Sequence, residues 1–325
     1  MPQALLPLPK TQTFISNDPF LLEGGSILPQ VEISYTTQGV LNADKSNVVW
    51  VFHALTGNAD PTQWWPGLIG THAIINLDKD FMICANVLGS CYGTTGPTDF
   101  TFPRISIRDM VSAHRLLKNH LDIKKIKLGI GGSLGGQQLL EWAVQEPSLF
   151  ENINLVATNA QHSPWGIAFN EAQRMALNNV DKSQGLAAAR AIAMLSYRHY
   201  NTFESTQKDE DQRLDDFSAS SYQQYQGFKL NKRFTNESYH YLSKAMDSHN
   251  VGRHGLSIKN VLQRIKSKTM VIGIDTDILF PIQEQQLLAD NIPNAKLAII
   301  KSNYGHDGFL VETDQLNNYF KNYFT

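Results

Sequence analysis

The chain has 325 residues, of which 42% are hydrophobic, and it carries a formal net charge of −2 at pH 7. This length can bury a large core, either as one domain with an insertion or as two domains. A charge so close to zero argues against nucleic-acid and anionic-membrane partners, which require a clustered basic surface. The substrate is therefore predicted to be a small molecule.

The cysteines and the N-terminal residues indicate the compartment. Cys84 and Cys91 are too few for a disulfide scaffold or a zinc cluster, so no metal site is predicted. The first ten residues contain three prolines and do not resemble a signal peptide. No apolar stretch approaches the ~20 residues of a membrane span. We expect a cytoplasmic enzyme.

The N-terminal third begins with strands. Residues 11–39 are predicted as edge strands joined by a turn at Gly24-Gly25, and the apolar run 47–52 as a parallel strand buried on both faces. That strand leads into His53-Ala54-Leu55-Thr56-Gly57. A His-x-x-x-Gly loop after an early strand is typical of the segment that supplies an oxyanion N–H, here that of Leu55. His53 itself is interpreted as a structural histidine.

Strands and helices then alternate. Residues 81–86 form the next predicted strand, 87–97 a loop rich in Gly and Thr, and 105–121 an amphipathic helix. This order predicts an α/β fold with a mostly parallel sheet, in which ligands gather at the carboxyl ends of the strands.

Ser133 lies between a strand pattern and a helix pattern. Ile126, Leu128 and Ile130 alternate as in a strand, and residues 139–143 are apolar at helical spacing. The Gly-x-Ser-x-Gly between them is typical of a nucleophile elbow, where free backbone N–H groups can stabilise an oxyanion. A dinucleotide-binding turn is disfavoured because the next strand, 152–158, ends without an acidic residue. A purely structural glycine-rich turn stays open until partners for Ser133 are found.

The pattern changes after that strand, since residues 163–250 show helical patterns and no buried strand. Within them, 185–195 is strongly helical and 206–221 is a polar loop or solvated helix. We therefore predict an α/β core of residues 1–162 and 251–325 with an inserted helical lid of residues 163–250.

The partners of Ser133 follow the last two strands. The strand 269–274 ends in Asp275-Thr276-Asp277, and the strand 296–300 is followed by His306. Nucleophile, acid and histidine in this order are typical of the α/β-hydrolase fold. Asp275 is a rival acid, but Asp277 is preferred because its later position reaches farther over the sheet edge. Ser133, Asp277 and His306 are predicted to form a triad, in which His306 moves the serine proton and Asp277 orients the imidazole.

In these and other segments the sequence resembles the homoserine O-acetyltransferases, which are α/β-hydrolase-fold enzymes of methionine biosynthesis. The resemblance covers nearly the whole chain. The matching segments are 53–57, 86–89, 93–97, 107–111, 131–137, 141–143, 170–174, 239–247 and 277–281.

The resemblance implies the same triad, with Leu55 and Leu134 supplying the oxyanion N–H groups. It further implies that Arg174 binds the carboxylate of the amino-acid substrate and Asp307 its ammonium. Such a pair suits a zwitterion, because guanidinium offers a bidentate fork to a carboxylate. Tyr197 is a further candidate for this pocket. Acetyl-CoA is implied as a co-substrate, with no permanently bound cofactor.

Several alternatives remain at this level. Similar proteins use succinyl-CoA, accept serine or transfer to other alcohols, and an esterase would use water as the acceptor. A catalytically inactive binding module is disfavoured because no triad member is missing. Residues 97–103 are shorter than in many members of the family, which bears on the acyl-donor entrance. We also predict a homodimer joined through the lid, because a lid built from one segment gains support from a second copy.

Overall fold

A computed structural model describes residues 9–178 and 181–324. Within these residues the strands are, in chain order, β1 (Lys10–Ser16), β2 (Phe20–Leu21), β3 (Ile27–Leu28), β4 (Val31–Gln38), β5 (Val48–Phe52), β6 (Phe81–Ala85), β7 (Ile126–Gly132), β8 (Phe150–Val156), β9 (Lys268–Ile274) and β10 (Ala295–Ile300). Eight of them form one sheet in the order β1-β4-β6-β5-β7-β8-β9-β10, and β2 and β3 form a separate hairpin. Strand β4 is antiparallel to both neighbours, whereas β5 to β10 are mutually parallel. The predicted, mostly parallel sheet is thus confirmed.

Helices cover both faces of this sheet. They are α1 (Pro61–Trp64), α2 (Ile107–His120), α3 (Leu134–Gln145), α4 (Pro164–Leu177), α5 (Lys182–Tyr197), α6 (Tyr200–Thr206), α7 (Ser218–Asn231), α8 (Asn236–Asp247), α9 (Ile258–Leu262), α10 (Ile282–Asn291), α11 (Gly308–Val311) and α12 (Thr313–Phe324). Every residue of β5 is buried, as expected for a strand between two helical layers. One core layer packs Trp50 against Trp142 of α3, and the other packs Trp65 against Phe309.

Helix α2 begins two residues later than its apolar pattern predicts. The Ser106 hydroxyl accepts the N–H of Asp109, and the Asp109 carboxylate accepts the N–H of Ser106. This capping box satisfies N–H groups that the first turn leaves without partners, and it fixes where the helix starts.

Helices α4 to α8 lie between β8 and β9, in the part of the chain predicted as a lid. Within the described residues of this part, the structure contains no strand in the main sheet. The segment that leads into these helices pairs with the segment that leads out of them. The N–H of His162 donates to the carbonyl of His249, and the N–H of Val251 donates to the carbonyl of Ala160, both at 3.0 Å. We call these two paired segments, 159–163 and 248–251, the neck. Among the described helices, none is both long and apolar enough to cross a bilayer.

Candidate active site

Ser133 connects β7 to α3 in a strained conformation. Its φ of 55° and ψ of −124° lie where L-residues are uncommon, because the side chain crowds the backbone. The turn is held from the next strand, since the N–H of Ser133 donates to Val156 and its carbonyl accepts the Thr158 hydroxyl. A Cβ on Gly131 would lie 2.4 Å from the Gly135 carbonyl oxygen, and one on Gly135 would lie 2.1 Å from that of Phe52. Glycine is therefore required on both sides of Ser133.

The structure brings Asp277 and His306 into direct contact. His306 Nδ1 lies 2.6 Å from Asp277 Oδ2, and both side chains are buried. The other oxygen of Asp277 accepts the N–H groups of Leu279 and Phe280 at 2.8 and 2.9 Å. These bonds fix the carboxylate, which in turn fixes the imidazole with Nδ1 protonated.

Asp275, the rival acid, faces elsewhere. Its carboxylate accepts the N–H of Ser302 at 3.0 Å and pairs with the exposed Lys301 at 3.2 Å. Asp275 and Asp277 flank Thr276 in the chain. Of the two, only Asp277 contacts His306.

The ring of His306 is held between aromatic side chains. Phe280 stacks on it with ring centroids 5.0 Å apart and an interplanar angle of 21°, and Phe309 meets it edge-on at 5.3 Å. Its free nitrogen, Nε2, is buried and has no hydrogen-bond partner among the described residues. Ser133 and His306 both line one cavity of about 480 Å³. A buried imidazole nitrogen without a partner, in the same cavity as a strained serine, is suited to accepting a hydroxyl proton.

The loop after β5 forms another wall of this cavity. Leu55 lines it, and neither the N–H of Leu55 nor that of Leu134 donates a hydrogen bond to another described residue. His53 secures the loop, because its Nε2 accepts the N–H of Val87 at 3.1 Å and its Nδ1 lies 2.9 Å from the Ala54 carbonyl oxygen. Burial lowers the pKa of His53 to about 4, so the ring is neutral near pH 7, as a structural histidine requires.

Arg174 does not reach the cavity, contrary to the expectation from the sequence. It is 5% exposed and lies on α4, where Nη2 contacts Asp247 Oδ2 of α8 at 2.5 Å and Glu171 Oε2 at 2.6 Å. Its Nη1 donates to the Ser243 hydroxyl at 3.1 Å. A guanidinium already engaged by two carboxylates has little capacity for a third. The structure thus corrects the placement of this residue.

The cation from α5 that lines the cavity is Arg190. Its guanidinium carbon lies 5.5 Å from the centre of the Tyr197 ring, and both residues line the cavity with Ser133. Tyr197, which the sequence analysis named as a candidate for this pocket, lines the cavity, and its ring centroid lies 5.8 Å from that of His306. A sequence signal for Arg190 existed. It lies seven residues, or two helical turns, before Tyr197 and hence on the same helix face.

Asp307 lines the same cavity. Among the described residues that line it, Asp307 is the one that carries a carboxylate. Arg198 Nε lies 2.9 Å from Asp307 Oδ2, an ion pair that fixes the carboxylate beside His306. The cavity that contains Ser133 and His306 thus also presents a guanidinium from Arg190 and a carboxylate from Asp307. Two further cations, Lys229 and Arg233, line the same cavity and are exposed to solvent. Residues 97–103 are not part of this wall, and Phe100 instead accepts a hydrogen bond from Tyr241 of α8.

A second carboxyl group lies near Asp277 and His306. Glu284 of α10 accepts a hydrogen bond from Asn159 at 2.9 Å. Burial, reinforced by the charge of Asp277, raises the pKa of Glu284 to about 7. Near neutral pH this group is therefore only partly ionised, and Asp277 remains the carboxylate in contact with the histidine.

Known proteins match this chain over nearly all of its length. A family model of the α/β hydrolase fold matches residues 47–313. A homoserine O-acetyltransferase of Cyclobacterium marinum is 46% identical, with 96% of this chain and 95% of that protein covered. The crystal structure of homoserine O-acetyltransferase from Staphylococcus aureus is 27% identical, with a TM-score of 0.85 and coverage of 97% of this chain and 94% of that one. Esterase E22 reaches a TM-score of 0.88 at 21% identity, covering 97% and 100% of the two chains, which shows the shared fold.

A strand-to-helix serine and an Asp-His pair after the last strands define an enzyme of the α/β-hydrolase fold. Fold alone does not separate acyltransferases from esterases, as esterase E22 illustrates. The sequence matches do separate these two classes, because a homoserine O-acetyltransferase matches 96% of this chain at 46% identity. The chain belongs to the homoserine O-acetyltransferase family of the α/β-hydrolase fold.

Proposed function

We propose that this enzyme moves an acetyl group from acetyl-CoA to the hydroxyl of L-homoserine through an acyl-enzyme on Ser133. One observation carries the proposal: the cavity that contains Ser133 and His306 also presents Arg190 and Asp307, a cation and an anion for the two charged ends of an amino acid. The homoserine O-acetyltransferase from Cyclobacterium marinum, at 46% identity, supports the same acceptor.

In the first half-reaction, His306 takes the proton of Ser133 as the hydroxyl attacks the thioester carbonyl. Asp277 holds the imidazole in the required tautomer and stabilises the imidazolium. The N–H groups of Leu55 and Leu134 stabilise the oxyanion, a role supported by their lack of other acceptors among the described residues. Collapse of the intermediate releases CoA, whose thiolate receives the proton from His306.

In the second half-reaction, homoserine occupies the space vacated by CoA. Arg190 binds its carboxylate through the guanidinium fork, Asp307 binds its ammonium, and Tyr197 lies beside both. His306 then deprotonates the γ-hydroxyl, which attacks the acetyl-enzyme and restores Ser133. Arg174 takes no part in this step, because its guanidinium is enclosed by Glu171, Asp247 and Ser243.

The acyl donor enters past Lys229 and Arg233, and no cofactor is held permanently. Arg233 is fixed by the Thr56 carbonyl and by the Tyr92 hydroxyl, and Lys229 is exposed beside it. Two cations at the mouth suit the phosphate groups of a coenzyme A thioester. Succinyl-CoA remains the rival donor, since its CoA portion would make the same contacts.

The experiment is to supply acetyl-CoA and homoserine and to identify the products. We expect O-acetylhomoserine and CoA in equal amounts, with parallel double-reciprocal plots when both substrates are varied. Serine and succinyl-CoA are the matched alternatives on the acceptor and donor sides. Acetate formed at the same rate with and without homoserine would contradict the transferase and favour an esterase.

We infer that two copies of the chain associate through the lid, which we assign to residues 163–250. Large exposed apolar side chains lie on α5, α6 and α7 and before α7. They are Leu195, Tyr200, Leu214, Phe217, Tyr225 and Phe228. Exposed apolar side chains concentrated in one region are typical of an interface with another protein.

Light scattering at micromolar concentration should give the mass of a dimer, and Phe228→Glu should shift it toward the monomer. Val40→Glu is the control, because Val40 is also exposed and apolar but belongs to the core domain. A monomeric wild type, or a Phe228→Glu protein that remains dimeric, would refute this interface. Cytoplasmic action stays our prediction, supported by two cysteines that form no disulfide.

A further inference from the structure

Beside the neck, helices α4 and α8 contain a partly buried charged cluster that the reaction does not use. Arg174 belongs to α4, the first lid helix, and Asp247 to α8, the last one. Their side chains meet at 2.5 Å, and the other oxygen of Asp247 accepts a hydrogen bond from Asn170 at 2.8 Å. One ion pair thus joins the two helices that connect the lid to the core.

This cluster continues from the lid toward the catalytic residues. Asn170 Nδ2 lies 3.3 Å from His162 Nε2 in the neck, and His162 Nδ1 lies 3.4 Å from Gln137 Nε2. Gln137 is on the nucleophile helix, and its N–H donates to the carbonyl of Ser133. The contacts therefore run without a gap from the lid helices to the turn that presents the serine.

A second branch reaches the histidine. The rings of His162 and Phe280 lie 5.7 Å apart, and Phe280 is the ring that stacks on His306. Burial lowers the pKa of His162 to about 4, so its ring is neutral near pH 7 and adds no charge to the cluster. The guanidinium of Arg174 has Asp247 on its buried side and Glu171 on its exposed side.

We propose that the Arg174–Asp247 pair is a positioning device, which holds the lid closed over the acetylated Ser133 and so determines whether homoserine or water receives the acetyl group. The proposal rests on the proposed function. Helix α5 carries Arg190 and Tyr197 over the cavity and packs against α4, so a shift of α4 at the neck would move both residues. A cavity left open admits water, which cleaves the acyl-enzyme to acetate and free Ser133.

The two carboxylates that contact Arg174 provide a matched pair of variants. Asp247 is partly buried between the helices, whereas Glu171 is about half exposed at 54% of its side chain. Asp247→Asn keeps the shape but removes the charge from the buried side. Glu171→Gln removes a charge from the same guanidinium on the solvent side, where water replaces it. Only the former should change the position of α4 relative to α8.

The readout is the ratio of acetate to O-acetylhomoserine formed from acetyl-CoA at fixed homoserine. We expect this ratio to rise at least tenfold in Asp247→Asn and to stay within twofold of wild type in Glu171→Gln. Acylation by p-nitrophenyl acetate, measured without homoserine, should be unchanged in both. Loss of folded protein lowers both products equally and leaves their ratio unaltered, so a general loss of stability would not produce this result.

A folded Asp247→Asn enzyme with the wild-type ratio would overturn the proposal. If Asp247→Asn does not fold, Arg174→Gln replaces it, since glutamine removes the cation that contacts Asp247, and a wild-type ratio in folded Arg174→Gln would overturn the proposal equally. A wild-type enzyme that forms no O-acetylhomoserine would instead refute the proposed function, before any variant is compared.

Discussion

Replacing Ser133 with alanine should lower kcat/KM for acetyl transfer by roughly a hundred-thousand-fold or more, because the acyl-enzyme can no longer form. Asp277→Asn should cost about ten-thousand-fold, since the amide cannot hold His306 in the tautomer that accepts the serine proton. Both losses should appear in the first half-reaction, measured as CoA release by stopped flow. Circular dichroism would confirm that the variants are folded.

The neighbouring aspartate supplies the control. Asp275→Asn removes a carboxylate two residues away, from the same loop, that pairs with Lys301 at the surface and does not contact His306. We expect its activity to remain within a few-fold of wild type. A larger loss in Asp275→Asn than in Asp277→Asn would contradict the assignment of the acid.

Removing the cation at Arg190 should separate the two half-reactions. In Arg190→Met we expect acylation of Ser133 by acetyl-CoA to remain nearly intact, because that step does not use the homoserine carboxylate. Transfer to homoserine should fall by roughly thirty-fold or more, since a charged group left without its partner typically costs 2–5 kcal/mol. Stopped-flow acylation, followed by addition of homoserine in a second mixing step, measures each rate separately.

Arg190→Lys is the matched variant, because it keeps the positive charge and loses only the bidentate geometry. We expect an intermediate loss, confined to the second step. Equal slowing of both steps in Arg190→Met, or slowing of neither, would show that another residue binds the carboxylate.

The sequence predicted the strand-to-helix turn at Ser133 and the proximity of Asp277 and His306, because each of these residues is tied to a local pattern. Ser133 is fixed by flanking glycines that only a tight turn requires, and the structure shows that a Cβ at either would collide with backbone. Asp277 and His306 each follow a strand of clear pattern, so their placement at one edge of the sheet follows from topology. The Asp277–His306 contact agrees with the preference for the later aspartate.

The packing of helices α4 to α8 was less predictable, since the periodicity of a helix shows which residues share a face but not which residues that face contacts. Arg174 lies on α4 and Arg190 on α5, and nothing local distinguishes a guanidinium enclosed by carboxylates from one directed into a cavity. The decisive residue for Arg174 is Asp247, which is 73 positions away in the chain. Such a contact depends on how α4 packs against α8, which is a tertiary property.

Mass spectrometry of the enzyme mixed with acetyl-CoA alone would detect a covalent acetyl-Ser133. We expect one acetyl group per chain, located on the peptide that contains Ser133. On addition of homoserine this label should be lost, with O-acetylhomoserine formed in equal amount. An enzyme that turns over both substrates in the same preparation but never carries an acetyl group on Ser133 would contradict the proposed acyl-enzyme.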